Sequence, residues 1–311
     1  MLKKISSYTF MLLALMVILS SCEKEYETAE NIDGAKIEEY LKKNNINAVK
    51  DPEGTGYYYQ VLNAGTGNVY TNTDSVRYNL SLKSLLTGQV YYASPDFLNL
   101  GTFVGYSSQL SFLGNTNEVL GINVKAIPTL LNQTKAGGSF RIILPSSLGF
   151  GKNGIASLNI PSNEILDITV TTYADSQSAI DEKRIVEFVA SNKLTPLKDP
   201  EAGIYYIVTQ EGTGTEPITS TATITASYTG RYLDGTVFQS FTDGTFKNEL
   251  GYLVSGWGLL KKYRKGTKIR LIFPSALGYG AAGATDDSTG QLIISRNACL
   301  DFDIEILDVT P

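Results

Sequence analysis

The chain has 311 residues, 26 Lys+Arg against 31 Asp+Glu, a net charge of −5 and no histidine. That length suits two domains, each able to bury a core, and the acidic balance with no long basic run argues against nucleic acid as a partner. Without imidazole the commonest neutral-pH base is missing, together with Ser-His-Asp and Cys-His catalysis and His-based metal sites. Any catalysis must run on other groups.

In chain order, Lys3, Lys4 and an apolar run from Phe10 to Leu19 read as a signal segment over residues 1–21. Leu19-Ser20-Ser21-Cys22 follows at once and resembles a bacterial lipobox. That resemblance implies export, a lipid on Cys22 as membrane anchor, and a place in the cell envelope. Lipidation of Cys22 leaves Cys299 alone, so no intramolecular disulfide is expected, and Cys299 reads as a small, partly buried strand residue. Residues 22–31, with "EKEYETAEN", read as an acidic tether.

Beyond the tether the chain repeats itself. "IDGAKIEEYLKKNNINAVKDPEGTGYYYQVLNAGTG" from Ile32 returns as "IDEKRIVEFVASNKLTPLKDPEAGIYYIVTQEGTG" from Ile180, 148 positions later. The period is too long for a solenoid and marks a tandem duplication, with domains over 32–176 and 177–311. Each copy opens on an amphipathic helix: Ile37, Tyr40 and Leu41 in the first, Ile185, Phe188 and Val189 in the second, with Ser178 and Asp181 at capping-box spacing. Lys-Asp-Pro-Glu is expected to end each helix. Strands follow. Ala222, Ile224, Ala226 and Tyr228 alternate with polar residues, as do Leu300, Phe302, Ile304 and Ile306, and Leu166, Ile168 and Val170 in the first copy. This period of two predicts a sheet with one face in a core and one in water. A short apolar segment near Trp257 precedes a strand over Lys268–Phe273. The fold class is α+β, each domain an antiparallel sheet wrapped on a short helix.

Residues 204–311 resemble an FKBP-type peptidyl-prolyl isomerase domain. The motifs "ASYTGRYLDGTVFQS", "LGYLVSGW", "KGTKIRLIFPSALGYG" and "LIISRNACLDFDIEIL" stand in that family's order and nearly its spacing. The resemblance implies a pocket of catalytic aromatics at Tyr228, Phe238, Trp257, Tyr279 and Phe302. It places Phe246, Leu253 and Val254 as further substrate-binding wall. Gln239, also placed among the substrate-binding residues, stands where the family usually has aspartate. It also implies proline-containing polypeptides as substrates, a Tyr279 hydroxyl donating to a ligand carbonyl, and no cofactor or metal.

The chemistry of such a pocket is simple. Amide resonance sets a rotation barrier of roughly 18–20 kcal/mol and separates charge. An apolar pocket disfavours the charge-separated planar amide, and a placed donor orients the substrate. The first copy carries "LPSSLGFG" where the second has "FPSALGYG", so Phe150 replaces Tyr279. Ile168 replaces Phe302, Tyr91 and Tyr92 stand for Phe238 and Gln239, Ile127 falls near Trp257, and Tyr78 aligns with Tyr228. The first domain therefore reads as degenerate. Two functions stay open: an isomerase active in the second domain and aiding envelope proteins to fold, or a catalytically silent, polypeptide-binding or structural pair of such domains.

Overall fold

A computed structural model describes residues 28–107, 126–286, 288 and 292–311. Cys22 and the segments before and after it lie outside these residues. In the first half, helix α1 (Ala29–Lys43) precedes strands β1 (Val49–Lys50), β2 (Tyr58–Asn63), β3 (Ser75–Ser84), β4 (Val90–Ala93) and β5 (Leu100–Phe103), then α2 (Ala126–Leu131), β6 (Ser139–Leu144) and β7 (Leu166–Thr172). In the second half, α3 (Gln177–Ser191) precedes β8 (Leu197–Lys198), β9 (Tyr205–Gln210), β10 (Thr223–Tyr232) and β11 (Val237–Glu249). A helical turn over Ser255–Lys262 then leads to β12 (Lys268–Phe273), the small hairpin β13 (Ala284–Thr285) and β14 (Leu292–Ile294), and β15 (Leu300–Thr310).

The first sheet runs β1-β2-β6-β7-β3-β4, with β5 also on β3; the second runs β11-β10-β15-β12-β9-β8. With β1, β2, β6, β7, β3 and β4 matched to β8, β9, β12, β15, β10 and β11, the strand order is the same. Both sheets are antiparallel throughout. The alternation in sequence becomes burial: every second residue of β3 from Val76 to Ser84, and of β10 from Ile224 to Tyr232, turns into a core.

Four expectations need correction. Helix α1 begins at Ala29, inside the stretch read as tether, because the Thr28 Oγ1 accepts from the Asn31 N–H. Helix α3 is capped by Ser176, whose Oγ accepts from the Ala179 N–H, and not by the Ser178–Asp181 pair. Lys-Asp-Pro-Glu does not end either helix. Asn44 and Asn192 do, each returning its amide Nδ2 to a carbonyl four residues back, with Asn45 and Lys193 left-handed at φ 53° and 54°. Asp51 and Asp199 instead tie the turns of the β1–β2 and β8–β9 hairpins, accepting from Thr55 and Ala202 respectively.

The second face of each sheet is left to water only in part, the fourth correction: a helix covers one end of it, while Lys268, Asp303 and Glu305 stay solvated. Ile37 and Leu41 of α1 pack on Tyr58, Leu85, Ile143 and Ile165, and Ile185 of α3 on Ile272 and Cys299. Cys299 stands just before β15, fully buried, and burial pushes its thiol pKa up. Asp167 and Asp301, outward by period, are buried as well; each is held by a two-point guanidinium contact, from Arg141 at 2.7 and 2.7 Å and from Arg270 at 2.8 and 2.7 Å.

The duplicated "PS" has a physical cause. Buried Asp33 on α1 accepts from the N–H and Oγ of Ser146, at 2.8 and 2.6 Å, and buried Asp181 on α3 does the same for Ser275, at 2.9 and 2.6 Å. In each copy this clamp fixes the helix to the turn that carries the aromatic of "LGFG" or "LGYG".

Candidate functional site

The inner face of the second sheet carries an aromatic cluster, and its placement follows from local backbone features. Tyr228 comes from the centre of β10, 5% exposed. Trp257 comes from the helical turn, drawn close because Gly256 lies flat on the Phe273 ring; a Cβ there would meet that ring at 2.5 Å. Gly230 serves β10 likewise. A Cβ on it would stand 2.7 Å from Phe302 and 2.8 Å from Phe238, so only glycine leaves room for both rings.

Four of the ring pairs meet edge to face, an arrangement their quadrupoles favour. Tyr228 lies 5.1 Å from Trp257 at 87°, 4.8 Å from Phe246 at 85° and 5.9 Å from Phe302. Phe302 lies 5.6 Å from Trp257 at 81°, 5.6 Å from Phe238 at 79°, and stacks on Phe273 at 5.6 Å. Leu253, Val254 and Tyr279 are half-buried against the same cluster. Burial, and then the neighbouring Tyr279, push the Tyr228 phenol up to about 12; burial also raises that of Tyr279. Both hydroxyls therefore stay protonated at neutral pH. Among the described residues neither has a hydrogen-bond partner, which leaves two donors beside an apolar surface.

The structure thus brings together Tyr228, Phe238, Phe246, Leu253, Val254, Trp257, Tyr279 and Phe302. Gln239 is different. It pairs with Gly230, on the cluster's face of edge strand β11, and remains exposed at the rim. Sequence reasoning missed Phe241, which sits 5.4 Å from Tyr228 and 5.6 Å from Phe246. No simple period reveals it, because β11 is interrupted twice: Gly230 pairs with Gln239 but Arg231 with Val237, and Tyr228 pairs with Phe241 but Ala226 with Phe246. These irregularities let Phe238, Phe241 and Phe246 all reach one cluster. A groove of about 310 Å³ lined by Ser227, Thr229, Arg270, Asp303 and Glu305 lies among outward-facing residues of the same strands, away from Trp257 and Phe302.

The first sheet has the register without the rings. Ile168 pairs with Leu82 and Ile142 as Phe302 pairs with Gly230 and Leu271. Counting two residues back along the strand, Leu80 pairs with Val170 where Tyr228 pairs with Ile304. The residue in the Tyr228 position is therefore Leu80, and Tyr78, matched to it by identity in sequence, stands where Ala226 does. Leu82 stands at the position of Gly230, Ile127 is fully buried on α2, and Phe150 packs against a core whose rings, Tyr57, Tyr70, Tyr78 and Phe140, lie at other positions.

Comparison with known proteins agrees with this division. The family model described as FKBP-type peptidyl-prolyl cis-trans isomerase matches residues 214–307. The chain is 34% identical over 142 residues to the FKBP-type peptidyl-prolyl cis-trans isomerase FkpA of Aeromonas hydrophila, covering 44% of this chain and 49% of that one. To FkpA of Escherichia coli K12 it is 36% identical over 118 residues, covering 37% and 41%. The crystal structure of FkpA from Escherichia coli is 33% identical over 43% of this chain and 61% of that one, with a TM-score of 0.37. The chain spans about half the length of the curated relatives it matches. Residues 214–307, the part of the chain that supplies the aromatic cluster, match the FKBP-type peptidyl-prolyl cis-trans isomerase family.

Proposed function

We propose that the chain is a peptidyl-prolyl cis-trans isomerase acting through the second sheet. The observation that carries this reading is the joint presence of an apolar ring surface, Tyr228, Trp257 and Phe302, and a Tyr279 hydroxyl beside it with no hydrogen-bond partner among the described residues. A prolyl ring seated on Trp257 leaves its preceding amide in a surrounding of low polarity. There the planar, charge-separated amide loses solvation relative to the twisted one, so the barrier falls. Tyr279 donates to a substrate carbonyl beside the proline and fixes the orientation of the chain about the rotating bond. No bond other than a hydrogen bond forms or breaks, so no nucleophile, proton relay or metal enters.

We place the protein in the bacterial cell envelope, exported and anchored through a lipid on Cys22, where proline-containing envelope proteins are its substrates. The support is Lys3, Lys4, the apolar run and Leu19-Ser20-Ser21-Cys22. Mass spectrometry of the mature N-terminus tests the anchor: an acylated Cys22 supports it and a free or absent Cys22 sinks it.

Exchange NMR on an Ala-Pro-Phe peptide tests the activity. Uncatalysed exchange takes tens to hundreds of seconds, so acceleration is easy to read. The full chain should speed it, and Trp257→Ala should abolish the effect; no acceleration by the wild type at high concentration ends the isomerase reading. One observation favours a second reading. Gln239 is neutral and exposed where the family usually has aspartate, which suits a module that binds polypeptide without turning it. Peptide binding that broadens Trp257 signals without accelerating exchange would decide for that alternative.

A further inference from the structure

The segment Phe97-Leu98-Asn99, between β4 and β5 of the first sheet, reaches the second. Phe97 stacks on Tyr232 at 4.4 Å and 12°, and Tyr232 in turn lies 5.1 Å from Phe238, the ring that meets Phe302. Leu98, 7% exposed, belongs to the core of the second sheet. Asn99 is fully buried. Its Oδ1 accepts from Arg184 Nη1 at 2.8 Å and Gln177 Nε2 at 3.0 Å, its Nδ2 donates to Gln177 Oε1 at 3.0 Å, and its carbonyl accepts from Asn297 Nδ2 at 3.1 Å. Arg184 also donates to the Leu98 carbonyl at 2.7 Å.

These contacts converge on both sides of the aromatic site. On one side, Phe97 backs the wall formed by Tyr232 and Phe238. On the other, Asn297 carries the restraint to the loop after Tyr279, since its N–H donates to the Gly280 carbonyl at 2.7 Å. The Tyr232 hydroxyl joins the two sides by accepting from the Ser295 N–H at 2.8 Å. Asn297 is held left-handed at φ 51° and is 5% exposed, so it has little freedom to follow any other partner.

We propose that Phe97, Leu98 and Asn99 are positioning residues for the site on the second sheet, so that the first domain acts by holding Phe238 and the Tyr279 loop in place. The proposal rests on the isomerase reading for its kinetic readout but not for its structural one. Phe97, half-buried and packed face to face, restricts Tyr232, and a site whose walls shift by a fraction of an ångström loses alignment with substrate.

The test uses the full chain with Phe97→Ala, Phe97→Leu and Phe97→Tyr. Trp257 is the single tryptophan, so acrylamide quenching of its emission reports the cluster independently of catalysis. Phe97→Ala should raise the quenching constant about two-fold and lower kcat/KM on the Ala-Pro-Phe peptide about three- to ten-fold, and Phe97→Tyr, which keeps the ring, should restore both. If Phe97→Ala fails to fold by circular dichroism, Phe97→Leu takes its place in the same comparison. Wild-type quenching and wild-type kcat/KM in the ring-less variant overturn the proposal. If the wild type itself does not catalyse, the isomerase reading fails alone, and the quenching comparison then decides the positioning.

Discussion

The first and second sheets share strand order, register, the Asp–Ser clamp and the buried Arg–Asp pair, and differ at the few inward positions that would face a substrate. Where the second has Gly230, Tyr228, Phe302 and Tyr279, the first has Leu82, Leu80, Ile168 and Phe150. The comparison separates two demands on one fold. Charged groups far from the rings recur because the fold requires them. The rings at the Tyr228 and Phe302 positions do not recur, because Leu80 and Ile168, with rings such as Tyr78 and Phe140 elsewhere, fill the first core.

The largest test transplants one residue. Gly230→Leu gives β10 what β3 has at Leu82 and drives a side chain into the space held by Phe302 and Phe238. Isomerase activity by exchange NMR should fall at least ~100-fold, and urea midpoints should show overpacking of about 1–3 kcal/mol. Retained activity would mean that the ring cluster is not the site. Next, Asp33→Ala and Asp181→Ala each strand a buried serine N–H and hydroxyl. Each should cost roughly 2–4 kcal/mol in urea unfolding, and a large cost in only one sheet would show that the clamp is not a shared requirement. Smaller still, Tyr279→Phe should lower kcat/KM by about ten-fold or less through loss of one donor, with folding unchanged. Phe150→Tyr should give the first sheet no activity, since the other rings are still missing.

The smallest expected effect is on pH. Glu182, Asp199 and Asp308 have folded pKa values below the usual carboxylate range, chiefly through hydrogen bonds from Lys198, Lys262 and Lys265. The stability they contribute is present above their unfolded values near 4 and is lost as pH falls through the folded ones. Burial pushes Tyr57, Tyr58, Tyr78, Tyr228 and Tyr263 up to about 12 from 10.0. That contribution is present below pH 10 and is lost as pH rises through 12. With no histidine, thermal midpoints should stay nearly flat from about pH 5 to 9; a step near pH 6.5 would contradict this.

Much of this was legible in the residues. Period-two runs at 222–228 and 300–306 marked inner faces, because strand geometry converts alternation directly into burial. Eight aromatic and aliphatic positions of the cluster followed from motifs in order. The outer faces were not legible. Asp167 and Asp301 read as solvated, since a single sequence does not reveal that a distant arginine and a covering helix meet there. Nor was the clamp: Asp33 and Asp181 stand among helical charges that usually face water. Tyr78 drew an alignment by identity that pairing assigns to Leu80. Phe97 carried no signal at all, because its partner Tyr232 lies on another sheet.

The Phe97–Asn99 segment also sets an order on synthesis. Asp33 and Ser146 are both made before α3 begins, so the first sheet can close its clamp while the second is still being translated. The partners of Asn99, however, arrive later and apart: Gln177 and Arg184 with α3, and Asn297 only a few residues before β15. The ring that Phe97 stacks on, Tyr232 at the end of β10, is likewise made only after the first sheet is complete in sequence.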